Sequence, residues 1–174
     1  MTVRPLRLLG DPVLRTACDP VTKFDDALAQ LVTDLLDTVQ EPGRAGLAAP
    51  QIGVGLAVFS YFVDDQLGYL INPEITEQDG EQDGLEGCLS IPGVTAFRTR
   101  AAVAVARGVD LDQQPVQITG TGELARALQH ETDHLRGELY IDALTGPERR
   151  SVLRQIREQQ ADPGQPGPGR HRRG

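Results

Sequence analysis

His130-Glu131-Thr132-Asp133-His134 sets two imidazoles four residues apart with a carboxylate between them. On an α-helix, residues four apart lie one turn above each other, so His130 and His134 can face one metal ion. Glu131 is turned about 100° from His130 and about 60° from His134. That aims its carboxylate at a water beside the ion rather than at the ion. Two histidines leave a catalytic metal one protein ligand short. Cys88, in Glu86-Gly87-Cys88-Leu89-Ser90, is the distinctive candidate upstream; Glu138 and Asp142 are the carboxylates downstream. A thiolate with two imidazoles leaves a fourth position open, as catalytic sites do. The chain has three histidines and the third, His171, lies in a Gly/Pro/Arg tail, so both histidines of the folded part fall in the motif.

These groups need elements to hold them. Thr121 can cap a helix, strong helix formers follow it, and Gly137 is a natural stop. Leu124, Ala125, Ala127, Leu128 and Leu135 cover much of the circumference, which predicts a buried, central helix. A second helix is expected over 25–39, where Leu28, Leu31, Val32, Leu35, Leu36 and Val39 follow the helical period. Asp11 and Pro12 suggest a capped turn near the start. Strands are expected over 54–63, 68–72, 74–78, 101–106 and 109–119, with Arg107-Gly108 as a connection and Asp112-Gln113-Gln114-Pro115 as a turn. Cys88 is expected on exposed or kinked backbone, and 138–144 as an extended segment. Thr145 and Pro147 open a last helix whose Val152, Leu153 and Ile156 form one narrow apolar face. Consecutive strands without βαβ alternation indicate an α+β fold, with mainly antiparallel sheets packed around the central helix. One catalytic domain is expected over 1–160, followed by a disordered Pro/Gly/Arg tail over 161–174.

Composition narrows the function. At 174 residues, with 39% hydrophobic and 24% charged residues, the chain can bury a real core. Aromatics make up 4%, Trp is absent and the net charge is -8, which argues against direct nucleic-acid readout. Residues 1–10 lack the apolar core of an export signal, and no apolar run approaches membrane-spanning length. A cytoplasmic location is expected. Two cysteines are too few for a disulfide framework, so Cys18 reads as a packing residue and Cys88 as a candidate ligand.

Three stretches carry a resemblance. Gly46-Leu47-Ala48-Ala49-Pro50-Gln51, Glu86-Gly87-Cys88-Leu89-Ser90 and His130-Glu131-Thr132-Asp133-His134 resemble the signature motifs of peptide deformylases, in that family's order and spacing. The resemblance runs from the Gly10–Arg15 opening to about Leu144. It implies removal of the formyl group from the N-terminal formylmethionine of nascent bacterial polypeptides, with release of formate. It further implies that Cys88, His130 and His134 bind the metal, commonly Fe(II), with Zn, Ni or Co able to substitute. Glu131 would move the proton, while the Gln51 side-chain amide and the Leu89 backbone N–H would hold the developing oxyanion. Gly46 would lie along the substrate backbone, which adds as an extra strand. Ribosome association through the last helix is a family analogy.

Departures from the family pattern are Arg44 at a usual glycine position and Ala45 in place of a branched aliphatic residue. Both bear on the substrate pocket and neither on the metal site. Thr132 replaces a larger apolar residue of many members. Glu86 and Arg100 are candidates for a pair bracing the Cys88 loop. Two other functions fit parts of the pattern: an H-E-x-x-H metallopeptidase using Glu138 or Asp142, and a catalytically silent formyl-peptide-binding protein.

Overall fold

The computed structural model describes residues 2–161, and the expected tail lies outside them except for Ala161, which ends the last helix. Three α-helices, α1 (Asp26–Val39), α2 (Gly122–Leu135) and α3 (Gly146–Ala161), pack with seven strands. The strands are β1 (Gly46–Ala48), β2 (Val58–Val63), β3 (Gln66–Asp79), β4 (Leu85–Cys88), β5 (Ile91–Phe97), β6 (Val103–Val109) and β7 (Pro115–Thr121). One antiparallel sheet has the order β1-β2-β3-β6-β7, so β1 is an edge; β4 and β5 form a separate antiparallel pair. The α+β expectation, with mainly antiparallel sheet, is met.

Helix α1 begins where Asp25 accepts a hydrogen bond from the Leu28 N–H at 3.0 Å. Its Leu28, Leu31, Val32, Leu35 and Val39 are buried against Leu47, Val58 and Ile71. Burying one such side chain is worth about 1.5–3 kcal/mol, so this face holds the helix down. Helix α2 packs on β1, β2, β6 and β7, with Leu124, Ala127, Leu128 and Leu135 against Phe59, Leu70 and Ala106. A third cluster joins Cys88, Ile91, Val94 and Ala96 to Tyr140, Val152 and Ile156, which fixes the β4–β5 pair to α3. Cys18 packs beside the α2 cluster, as a small core residue would.

Several local expectations need correction. The strands over 68–72 and 74–78 are one, β3, interrupted by irregular pairing between Ile71 and Glu74. Asn72 causes the kink: its φ is 52°, and its amide bonds both the N–H and the C=O of Val21, at 2.8 and 3.0 Å. Residues 54–57 stay outside β2 because they pair with Asp19 instead. Arg107 and Gly108 are not a connection but part of β6. A Cβ on Gly108 would lie 2.6 Å from the Ile71 carbonyl oxygen, so glycine permits the close strand approach there. The turn between β6 and β7 falls close to the expected 112–115, where the Asp110 side chain accepts from the Asp112 and Gln114 N–H groups. Thr121 occupies the N-cap of α2 without a side-chain capping bond, since β7 runs directly into the helix. Tyr140–Ala143 is a 3-10 turn rather than extended, because Asp142 accepts from the Leu139 N–H at 2.8 Å. Cys88 is buried and closes β4, at a register break after Gly87.

Candidate metal centre

The last turns of α2 carry His130 and His134 on one face, and both are buried. The end of β4 brings Cys88 to the same point. Cys88 Sγ lies 3.3 Å from His134 Nε2, and the two histidine Nε2 atoms are 3.1 Å apart. All three candidate ligand atoms fall within 4.8 Å of one another.

Behind His130, Nδ1 donates to Glu86 Oε2 at 2.8 Å. Glu86 is buried, and although burial alone would raise its pKa, hydrogen bonds from Arg100 and His130 hold it far below the usual carboxylate range. A carboxylate kept ionised accepts only, so His130 carries a proton on Nδ1 and turns Nε2 inward. The other Glu86 bonds come from Arg100 Nε and Nη2, at 2.9 and 2.7 Å, and from Arg126 Nη1 at 2.9 Å. Arg100 also donates to Asp133 at 2.7 Å. The Glu86–Arg100 pair read as a candidate from sequence therefore exists, buried and bidentate. Arg126 and Asp133 complete its surroundings and were not singled out by sequence. The signal for Arg126 was its place one turn before His130 on the same helix face.

The donor set fits a divalent ion. Burial and the charge of His130 push the His134 pKa well below its ordinary value, favouring the neutral imidazole that a metal requires. Burial works against a charged His130 too, but the bonds to Cys88 and Glu86 and the charge of Glu131 outweigh it and raise its pKa. Thiolate and imidazole together suit iron or zinc.

Glu131 points to the cleft side of the helix. Burial raises its pKa to about 7, and its Oε2 is buried with no partner among the described residues. A Cβ on Gly46 would stand 2.5 Å from Glu131 Oε1, so only glycine lets β1 pass the carboxylate this closely. Gln51 is buried below, its orientation set by the Ala48 N–H donating to Oε1 at 2.9 Å. The amide nitrogen then faces Ser90 Oγ at 3.2 Å and Cys88 Sγ at 3.8 Å. Ser90 is a further contact that the sequence did not single out. A cleft of about 930 Å³ lies in front, walled by Ala45 and Gly46 of the β1 side, Gly87 and Leu89 of the β4 side, and Arg126 and His130 of α2. Arg44 lines its mouth but donates to the Thr38 carbonyl at 2.8 Å, at the C-terminal end of α1. The downstream carboxylates do not join the centre: Asp142 pairs with Arg15 at 2.7 Å, and Glu138 is exposed.

Comparison with known proteins decides the family. The profile described as Polypeptide deformylase matches residues 3–150. The chain belongs to the polypeptide deformylase family. It is 52% identical over 158 residues to a peptide deformylase of Acidothermus cellulolyticus, covering 91% of this chain and 88% of that one. A Parafrankia peptide deformylase is 50% identical over 160 residues, covering 91% and 87%. Among solved structures, a peptide deformylase from Legionella pneumophila superposes with a TM-score of 0.85 at 36% identity, covering 94% of this chain and 99% of that one. A Synechococcus elongatus peptide deformylase in complex with actinonin gives 0.82 at 34% identity, covering 90% and 87%. This deformylase is a hydrolase that removes the formyl group from nascent peptides, and its family is metal-dependent. None of its described helices is long and apolar enough to cross a membrane.

Proposed function

We propose that this deformylase hydrolyses N-formylmethionyl chain ends at a centre held by Cys88, His130 and His134, with Fe(II) as the native ion. Zn, Ni or Co would occupy the same ligands. The observation that carries this reading is the convergence of one sulfur and two Nε2 atoms beside a buried, unpartnered carboxylate. Cys88, His130 and His134 would hold a divalent ion there, and it would supply a water of lowered pKa, toward about 7, and polarisation of the formyl carbonyl.

The chain's own residues do the rest. Glu131, with a pKa near neutrality, takes a proton from the attacking water and returns one to the leaving amine nitrogen. The formyl C–N bond breaks, leaving formate and a free amino terminus. Gln51 Nε2 and the Leu89 backbone N–H hold the oxyanion, a contact worth about 3 kcal/mol per donor. Because Gln51 Oε1 is engaged by Ala48, its NH2 end is already turned to the site and no reorientation is needed. The free edge of β1 at Gly46 receives the substrate backbone as a further strand, with β4 on the other side. Ala45, smaller than the usual aliphatic residue, widens the methionine pocket, and Arg44 borders it.

Residues 1–160 act as one catalytic unit in the cytoplasm. Exposed Arg149, Arg150, Arg154 and Arg157 on α3 supply the charge for association with ribosomal RNA phosphates.

The decisive experiment is Glu131→Gln, assayed anaerobically on formyl-Met-Ala-Ser with metal content measured on the same sample. Metal and substrate binding should be retained, while kcat falls about 10²–10⁴-fold. Near-normal kcat with metal retained would remove Glu131 from the proton transfer.

A further inference from the structure

A second cavity, of about 500 Å³, opens on a neighbouring face of α2, away from the catalytic cleft. Its walls are Gln129 and Asp133 of α2, Arg136 just after that helix, the end of β3, and Arg98 to Arg100 beyond β5. Three arginines and three acids line it, so its net charge is balanced and the pairing decides what it can hold. Arg100 is fully engaged by Glu86 and Asp133. Asp133 is thereby neutralised, and the exposed Arg136 stands only loosely against its other oxygen, with Nη1 at 4.0 Å. Asp79 and Glu81 stand exposed at the outer lip.

Arg98 differs from its neighbours. Its Nε is buried without a partner, and its guanidinium joins none of the ion pairs among the described residues. Only its backbone is used, with the N–H donating to Gly84 and the C=O accepting from Arg126. Burial and the nearby Arg100 weigh against its charge more than Glu86 and Asp133 favour it, lowering its pKa from the ordinary value. A part-buried cation beside two others, with no acid paired to it directly, is a cost that folding alone does not require.

We propose that this cavity binds a compact oxyanion, a carboxylate or a phosphate group, gripped by Arg98 from within and by Arg136 at the mouth. A planar guanidinium offers such a ligand two parallel donors, and arginine cannot give up its charge instead. Asp79 and Glu81 at the lip repel the additional charges of a longer polyanion, which disfavours nucleic acid or a nucleoside triphosphate against a single compact group. The site goes beyond deformylation and does not depend on the roles assigned to the metal ligands.

The test is calorimetric titration of the metal-loaded, full-length protein with acetate and with inorganic phosphate, at constant ionic strength. Wild type should bind one equivalent saturably, and Arg98→Gln should weaken binding about tenfold or more, while Lys23→Gln, at an exposed cation outside the cavity, leaves it unchanged. Tighter binding of acetate assigns the site to carboxylates, and tighter binding of phosphate to phosphate groups. Without ligand, Arg98→Gln should melt at or above the wild-type temperature, because it removes an unpaired cation. An arginine with a merely structural role would instead give a lower melting temperature and no change in anion affinity. The proposal is overturned if neither anion binds saturably, if Arg98→Gln leaves affinity unchanged, or if a nucleoside triphosphate binds more tightly than phosphate.

Discussion

Replacing Glu86 with Gln tests whether the charged network behind His130 is needed for both stability and metal retention. The carboxylate accepts from Arg100 Nε and Nη2, from Arg126 Nη1 and from His130 Nδ1, all between 2.7 and 2.9 Å. Glutamine has one acceptor oxygen, and its NH2 group would face a donor wherever it is turned. Removing one member of a buried ion pair costs about 3–5 kcal/mol. Arg100 keeps Asp133, so the lower end, about 3 kcal/mol, is expected. In a chain of 174 residues, that lowers Tm by about 6–12 °C. Loss of the histidine's partner should also weaken metal affinity about 10–100-fold.

The pH dependence has a definite sign. Glu86 has a depressed pKa in the folded protein, so its contribution is complete at neutral pH. It is lost as pH falls below about 4, where the unfolded chain binds a proton that the folded carboxylate refuses. The Tm gap between wild type and Glu86→Gln should therefore be full at pH 7 and narrow below pH 4. Calorimetric melts of metal-loaded protein, with metal release to a chelator followed in parallel, measure both effects. A Tm within about 2 °C of wild type at pH 7, with unchanged metal release, would refute the account of the network.

Cys88→Ala should lose bound metal and turnover together, whereas Cys18→Ala should keep both; elemental analysis beside the deformylation assay distinguishes them. Gly46→Ala places a methyl group where Glu131 Oε1 lies 2.5 Å away, so the carboxylate must move. A displacement near 1 Å is expected to cost about 10² in kcat with metal retained, and an unchanged kcat would show that β1 yields instead.

Helix α1 and the metal-site motifs were legible because local spacing alone carries them. Seven residues of α1 are buried at helical intervals, and His130 and His134 need only α2 to meet. Cys88 could be proposed from its motif, but its burial at the end of β4 depends on packing with Leu139, Tyr140 and Ile141, some fifty residues along the chain. The same limit hid Arg126 and Asp133, whose partners at Glu86 and Arg100 are brought together only by packing α2 against the β4–β5 pair. Boundaries failed where a single side chain overrides the pattern. Asn72 imitates a strand neighbour through its amide, Asp142 closes a turn, and Gly108 continues a strand that its composition suggested would break.

With the substrate paired to β1 as proposed, that strand's free edge also sets a time limit on the reaction. An unpaired strand edge ordinarily invites other sheets to join it, and in crowded surroundings that leads to aggregation. Here the edge lies inside the cleft, with β4 across from it, so a single extended chain can reach it and a folded sheet cannot. A protein whose first residues have already entered a strand or helix of its own would present nothing the edge can pair with. Deformylation would thus be in competition with folding of the product itself, and chains that bury their amino terminus early would keep the formyl group unless they are processed while still emerging.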